Sequence, residues 1–485
     1  MFNFPPPEHP AAIRIGKSVG YAAVFFAAFQ LFSSSAFPQG SLTPPAGSPA
    51  PTMKSLDQIA STGIAINATN TPGDGSHHFI INSPGSYFFP GNIAVTQNVG
   101  IEIASSNVTV DLNGFQLLNT GASTTGFEIG SSAHNCTIKN GTIASFISHG
   151  IASLFTNLDS AHGVALSNLS VSNCSSTGIV AGNFALVQDC RVHDNGGGIS
   201  MGDACILVNC NASGNHNTGI ISGTNCILIG CNASENTLTQ AGIQAGNGCT
   251  LADCTATGNS SGLALSFGIS AGSNCTLTNC IASSNTNTNG SPSSITGIGI
   301  SVADYSIINN CSATQNKGDG IEVGANCQLI GCNSSGNGNG ANGSGILGNV
   351  RVLVKNCAVA DNRKHGIIVG SGSSVLDSDA HHNGLGGAFD GINAAGSSLI
   401  QGNSVSTNGG DGIHVTGSLN RIDNNLANSN GGWGIHGGAD FIIRNCANSN
   451  AGATGNANYN PSTGTNIGPL QTANSSTPSP WANLQ

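Results

Sequence analysis

A glycine followed by a bulky apolar residue recurs through most of this chain, in step with a second column of residues. It appears as Gly100-Ile101, Gly126-Phe127, Gly150-Ile151, Gly178-Ile179 and onward through Gly412-Ile413 to Gly434-Ile435. The first and last of these glycines lie 334 residues apart over 14 intervals, a mean near 24. A period of that length means stacked supersecondary units, because one such unit cannot bury its own apolar face.

One unit shows what is stacked. In GIHVTGSLNRIDNNLANSNGG, starting at Gly412, Ile413 and Val415 alternate with His414, the period-2 pattern of a short strand. Ile422 and Ala427 supply two more apolar steps, with Asn, Ser and Gly at the corners, and no stretch carries a helical stripe. The pattern predicts an all-β chain: a single right-handed parallel β-helix of about 15 coils, three short strands per coil. At about 4.8 Å per coil the rod is roughly 70 Å long.

Twelve residues after successive glycines come Cys190, Cys210, Cys231, Cys254, Cys280, Cys311, Cys332 and Cys357. The same offset reaches Ser378 and Asn403, and one residue more reaches Asn425 and, far upstream, Asn113. These positions are expected to form one ladder of small, stackable residues. A column five residues upstream adds Cys205, Cys226, Cys249, Cys275 and Cys327. The expectation is inward-facing thiols acting as small apolar core groups. Inter-coil disulfides are the alternative, and the CxxxxC spacing does not match a zinc pattern.

Only 7% of residues are charged, with 22 acids against 12 bases. That balance leaves no basic footprint for nucleic acid. Arg14 and Lys17 precede an apolar run over 19–32, and Ser34-Ser35-Ala36 offers a cleavage site, so residues 1–36 read as an export signal. An uncleaved anchor is the competing reading; no later segment is expected to cross a membrane. Residues 37–62 read as a Pro/Ser/Gly-rich linker with a short capping helix at Met53–Ile59, 63–455 as the coils, and 456–485 as an irregular tail. The chain is therefore expected to be secreted, periplasmic or held at the cell surface.

VTVDLNGFQL (108–117) resembles the opening coil of right-handed parallel β-helix proteins of the pectate-lyase-like superfold. PAPTMKSLDQI (49–59), PGSYFFPGNI (84–93), YNPSTGTNIGPL and SPWANL resemble a group of large secreted β-helix proteins of planctomycete-type bacteria. The resemblance implies export and a β-helix, with carbohydrate association as an expectation at the level of the superfold.

In related polysaccharide enzymes the site lies on the outer face of the first strand. The outward file here is Ser200, Ile221, Gln244, Ser270, Ser301, Glu322, Leu347, Ile368, Asn393, His414 and His436, with no Asp/Lys/Arg cluster. Paired aspartates with GHG and RIK, and the DPHD signature of alginate epimerases, are missing as well. Every long insertion (254–268, 280–299, 332–345, 378–391) falls between the ladder and the next Gly-Ile, so all four are expected at one edge.

One region departs from the low-charge rule. Asp361, Arg363, Lys364, His365, Asp377, Asp379, His381, His382, Asp390, Asp411 and His414 crowd into two coils and the start of a third. Arg363, His365, Asp379 and His382 are the candidates for a catalytic groove, with Asp361, Lys364, Asp377, His381 and Asp390 as a surrounding ligand-binding set. A divalent-metal site from Asp379, His381 and His382 is a second option. The plain alternative is a solvated corner that keeps rods apart. The leading expectation is an exported, non-catalytic scaffold that binds carbohydrate, with no cofactor. The alternative is a polysaccharide lyase or hydrolase, Ca2+ entering only for a lyase, and a metal-handling periplasmic β-helix is a third.

Overall fold

The computed structural model describes residues 63–153, 163–237, 240–262, 266–287, 297–339, 342–451, 457–461, 465–472 and 479–485. The expected signal, linker and capping helix lie outside them. Every regular element among the described residues is a β-strand. The chain is a right-handed parallel β-helix of about 16 turns.

One coil shows the build. Phe267–Ala271 is its first strand, Thr276–Thr278 its second and Ile281–Ser283 its third. Each pairs in parallel with its counterpart one coil on, as in Ile269↔Ile300, Leu277↔Ile308 and Ala282↔Ala313. Those six side chains point inward and are fully buried. Between second and third strands the chain bends at a left-handed residue, Asn279, Asn310, Gly331, Asn356 and Asp377 in successive coils. Asn and Asp tolerate that conformation, and this explains why polar corners follow such short strands.

The recurring glycine is required by close approach. A Cβ on Gly268 would sit 2.4 Å from Asn285 Nδ2 and 2.7 Å from the Gly299 carbonyl oxygen. The branched residue that follows, Ile269, fills the core.

Most of the cysteines form two interior columns, Cys174 stands at the head of the asparagine column and Cys446 on the outer side of a third strand, and all are free thiols. In the two columns the sulfurs serve as hydrogen-bonding rungs. Cys226 Sγ accepts from the Cys205 amide at 3.3 Å and donates to the Gly202 carbonyl at 3.2 Å. Ser306 stands in the same column, its Oγ accepting from the Cys275 amide at 3.1 Å. Burial pushes the thiols of Cys174 and Cys327 up. In the other column Ser378 accepts from the Cys357 amide, and Asn403, Asn425, Asn445 and Asn483 continue the stack. Asn113 departs from the expectation. It sits in a turn with φ +51° and an exposed side chain, and the buried position beside it is Leu112.

A third column carries the true asparagine ladder. Asn195, Asn215, Asn236, Asn259, Asn285, Asn316, Asn337, Asn362, Asn383, Asn408 and Asn430 each donate Nδ2 to the next Oδ1 one coil away, and Asn450 ends the ladder by donating to Asn458, eight residues on. Each insertion follows this ladder in sequence, and the first two begin with a paired strand, Ser260–Ser261 beside Thr286–Asn287. Past residue 455, where an irregular tail is expected, Tyr459–Pro461 pairs with Ile435–Gly437 and Leu484 pairs with Cys446. The tail therefore continues the strand pairing, with Asn483 as the last rung of the Asn425–Asn445 stack.

Candidate functional site: the outer face of the first-strand sheet

The outward file of the first strands is in register from coil to coil: Ser200↔Ile221↔Gln244↔Ser270↔Ser301↔Glu322↔Leu347↔Ile368↔Asn393↔His414↔His436. A second file runs beside it, made by the residue that precedes each glycine. Its members include Asp319, Ser344, His365, Asp390, Asp411 and Trp433. These residues stand three positions before the outward file, in the turn that leads into each strand, and side-chain contacts such as Asn393 Nδ2 to Asp390 Oδ2 bring the two files together.

The two files meet most closely at the carboxyl-terminal end. Asp390 is nearly buried. Its Oδ2 lies 3.4 Å from both His365 Nδ1 and His414 Nδ1, and accepts from Asn393 Nδ2 at 2.8 Å. Its Oδ1 accepts from the Asp411 amide at 2.9 Å. Burial works to raise the Asp390 pKa, but the hydrogen bonds from His365, His414, Asn393 and Asp411 outweigh it and hold the carboxyl well below the usual range. The same contact with Asp390 raises His414, against the opposing effect of its own burial. One coil on, Asp411 repeats the device. Its Oδ2 is 2.8 Å from His436 Nδ1, and its Oδ1 accepts from the Trp433 amide at 2.6 Å. The imidazoles of His414 and His436 stack, centroids 4.6 Å apart and planes 12° from parallel.

Three coils earlier a different pair appears. Asp319 is buried, its Oδ1 accepts from the Ser344 amide at 2.5 Å, and its Oδ2 has no hydrogen-bond partner. Burial raises its pKa. Glu322 is raised too, first by burial and then by the charge of Asp319. Glu322 lines an open groove with Ser301, Leu347 and Asn349. At the amino-terminal end, His77 bonds Asp74 at 2.9 Å and approaches Glu102 at 3.8 Å, beside Glu128, which burial raises.

The charged region of the sequence is thus divided. His365 and Asp390 lie on the first-strand face, joined by Asp411 and His414. Asp361 and His382 occupy the left-handed corner after the third strand in adjacent coils, both more than half exposed, with Nδ1 2.5 Å from Oδ1. Asp379 and His381 pair at 3.2 Å on the outer face of the third strand. Asp377 is exposed at the bend before it, and Arg363 is exposed after the Asn362 rung. Lys364 lies 5.9 Å from the Phe389 ring, which stands edge-on to His365. Four-way convergence of Arg363, His365, Asp379 and His382 is not what the geometry shows: His365 bonds Asp390, His382 bonds Asp361 and Asp379 bonds His381. The reason is that a third-strand residue and a residue just before Gly-Ile belong to different faces of a coil. The proposed trio of Asp379, His381 and His382 fails likewise, since alternation sends 379 and 381 to the strand face and 382 into the corner.

No family model matches the chain, and no curated protein matches it in sequence. Among solved structures, the A-module of the Azotobacter vinelandii mannuronan C-5 epimerase AlgE4 aligns at 13% identity and TM-score 0.34, covering 70% of this chain and 86% of its own. The Dettilon tailspike protein aligns at 14% and 0.33, covering 69% and 62%. The periplasmic alginate epimerase AlgG aligns at 11% and 0.31, covering 73% and 82%. Likenesses of this size carry no information about the chemistry of this face.

Proposed function

We propose that the chain is an exported β-helix that binds a polysaccharide along the outer face of its first-strand sheet without cleaving it. The observation that carries this reading is the register of Ser200, Ile221, Gln244, Ser270 and Ser301, five outward side chains on consecutive coils, mostly hydroxyl or amide. Polar groups repeating at about 4.8 Å along a line suit a linear polymer of hydroxylated rings. The file ends in an open groove on each side. One is lined by Ser176, Thr177, Ser200, Asn217 and Thr218, the other by Ser301, Glu322, Leu347 and Asn349. The low charge of the chain favours a neutral glycan over a strongly anionic one.

Glu322 supports a second reading, glycoside hydrolysis. A carboxyl raised by burial and a neighbouring acid, opening on a groove, has the character of a general acid. One experiment separates the two. Glycan-array binding and reducing-end analysis are run on the parent, on Gln244→Arg/Ser270→Arg, and on Glu322→Gln. Binding without products, lost in the arginine variant and kept in Glu322→Gln, is the expected result. Products that vanish in Glu322→Gln replace binding with hydrolysis, and no glycan bound by the parent refutes both.

A further inference from the structure

The acid–histidine patch at the carboxyl-terminal end is not needed for glycan binding along the serine file, and its construction points elsewhere. Asp411, His414 and His436 each offer one ligand atom, and the three atoms lie within 4.8 Å of one another. The residues come from two adjacent coils of a stiff stack, so their separation is set by strand spacing and not by a mobile loop. His414 is already oriented by Asp390, while Asp411, itself one of the three candidate ligands, contacts His436 directly. A carboxylate gripping a histidine ring is the outer-sphere arrangement that fixes ring orientation and strengthens a metal ligand.

Charge supplies an independent argument. The carboxyls of Asp390 and Asp411 are only 10% and 14% exposed, on neighbouring coils, and their ion-pair partners are imidazoles alone, with no Lys or Arg among the described residues. A dication placed among the three ligand atoms would sit beside both of these sheltered carboxyls. The rings remain about 30% exposed, which leaves coordination positions for water or an incoming ligand.

We propose that Asp411, His414 and His436 form a site for one divalent transition metal of the zinc class, with Asp390 as the outer partner of His414. Two imidazole nitrogens and one carboxylate oxygen are ligands that such ions accept, and the three atoms, within 4.8 Å of one another, must draw together and the rings tilt for metal–ligand bonds near 2.1 Å. The choice of a borderline ion over Ca2+ follows from the nitrogen donors, since Ca2+ takes oxygen. The site is independent of the glycan reading and stands or falls separately.

The test is titration of the metal-stripped full chain with Zn2+ by calorimetry, and with Co2+ by visible absorption. One equivalent of Zn2+ should bind, and Co2+ should develop ligand-field bands with nitrogen ligation. His414→Ala/His436→Ala and Asp411→Asn should lose at least 100-fold in affinity, whereas Asp390→Asn should lose about 10–100-fold, as outer partners do. His381→Ala/His382→Ala removes a more exposed histidine pair and should change nothing. Far-ultraviolet circular dichroism checks the coil in each variant, and the single replacement His436→Gln serves if the double variant fails to fold. No saturable binding, or binding equal in the parent and the His414/His436 variants, overturns the proposal. Loss in the His381/His382 variant instead would also overturn it, by moving the site to the third-strand corner.

Discussion

Replacing Asn316 by alanine tests the claim that the asparagine ladder, and not the cysteine columns alone, holds neighbouring coils together. Asn316 is fully buried. Its Oδ1 accepts from the Asn285 amide at 3.1 Å and from Asn285 Nδ2 at 2.9 Å. Its Nδ2 donates to the Ala282 carbonyl at 2.9 Å and to Asn337 Oδ1 at 3.0 Å. Alanine removes all four bonds. The Asn285 amide is left buried without that acceptor, at about 1–3 kcal/mol, and the remaining lost bonds contribute net values of about 0.5–1.5 kcal/mol each. Partial compensation by Asn285 Nδ2, which still bonds Ala256, brings the sum to about 4 kcal/mol. Because a solenoid is stabilised by nearest-neighbour terms, the loss should be local. Hydrogen exchange read by mass spectrometry should speed up in peptides covering residues 280–287 and 307–316, and remain unchanged near 186–193. A change below about 1 kcal/mol in urea denaturation, with exchange unaltered in those peptides, would refute the ladder as a structural device.

Gly268→Ala should be worse than a surface glycine replacement such as Gly91→Ala, where an added Cβ meets nothing within 4 Å; overpacking against Asn285 and Gly299 costs about 1–3 kcal/mol, read as a shift in urea midpoint. Cys254→Ser should change stability by about 1 kcal/mol or less, because Ser378 already serves in that column, bonding the Leu376 carbonyl at 2.9 Å, whereas Cys254→Leu should overpack by about 1–3 kcal/mol. Asp423 is buried between Arg421 and Arg444, and although burial works to raise it, the two guanidiniums hold its pKa below the usual value. A depressed carboxyl contributes stability above the unfolded pKa near 3.9 and loses it as pH falls through the folded value, so Asp423→Asn should be less stable than the parent at pH 7 with the gap closing below about pH 4. Asp319 is raised, and the sign reverses. The parent should gain stability relative to Asp319→Asn as pH falls from neutrality through the raised folded value toward about 4, followed by urea midpoints across that range.

The coil was legible because its determinants are local and repeat. Gly-Ile marks the place where two coils approach most closely, and the cysteine column marks an inward turn position; both recur at constant offset. The asparagine ladder was equally regular, always five residues after the cysteine-column position, as in Cys254 and Asn259 or Ser378 and Asn383. It was hidden by composition: in a chain whose corners are full of asparagine, a buried column looks like another solvated corner. Asn113 shows the reverse error, an exposed turn asparagine that merely falls near the ladder offset.

The site was less legible for a physical reason that applies to any stacked coil. Clustering along the sequence ranks residues by proximity in number, and in 361–414 that gathered three different faces into one set. What brings side chains together in this fold is equal phase in successive coils. Asp390, Asp411 and Trp433 share a phase, and so do Asn393, His414 and His436. Read by phase, the DGIN, DGIH and WGIH steps at 390–393, 411–414 and 433–436 place each acid beside the outward residue of the following coil, 24 or 25 residues away. His436 lies outside the charge-dense stretch altogether, yet it completes the stacked pair. Asp319 and Glu322, in DGIE, carry the same acid-to-outward spacing, but the next coil presents Leu347 in place of histidine. That difference, together with Glu322 standing where Asn393 donates to Asp390, accompanies an unpartnered Asp319 oxygen and a raised pKa, whereas the contacts around Asp390 hold it low. The same local motif therefore yields two opposite electrostatic environments, set by residues of its own coil and of its neighbours.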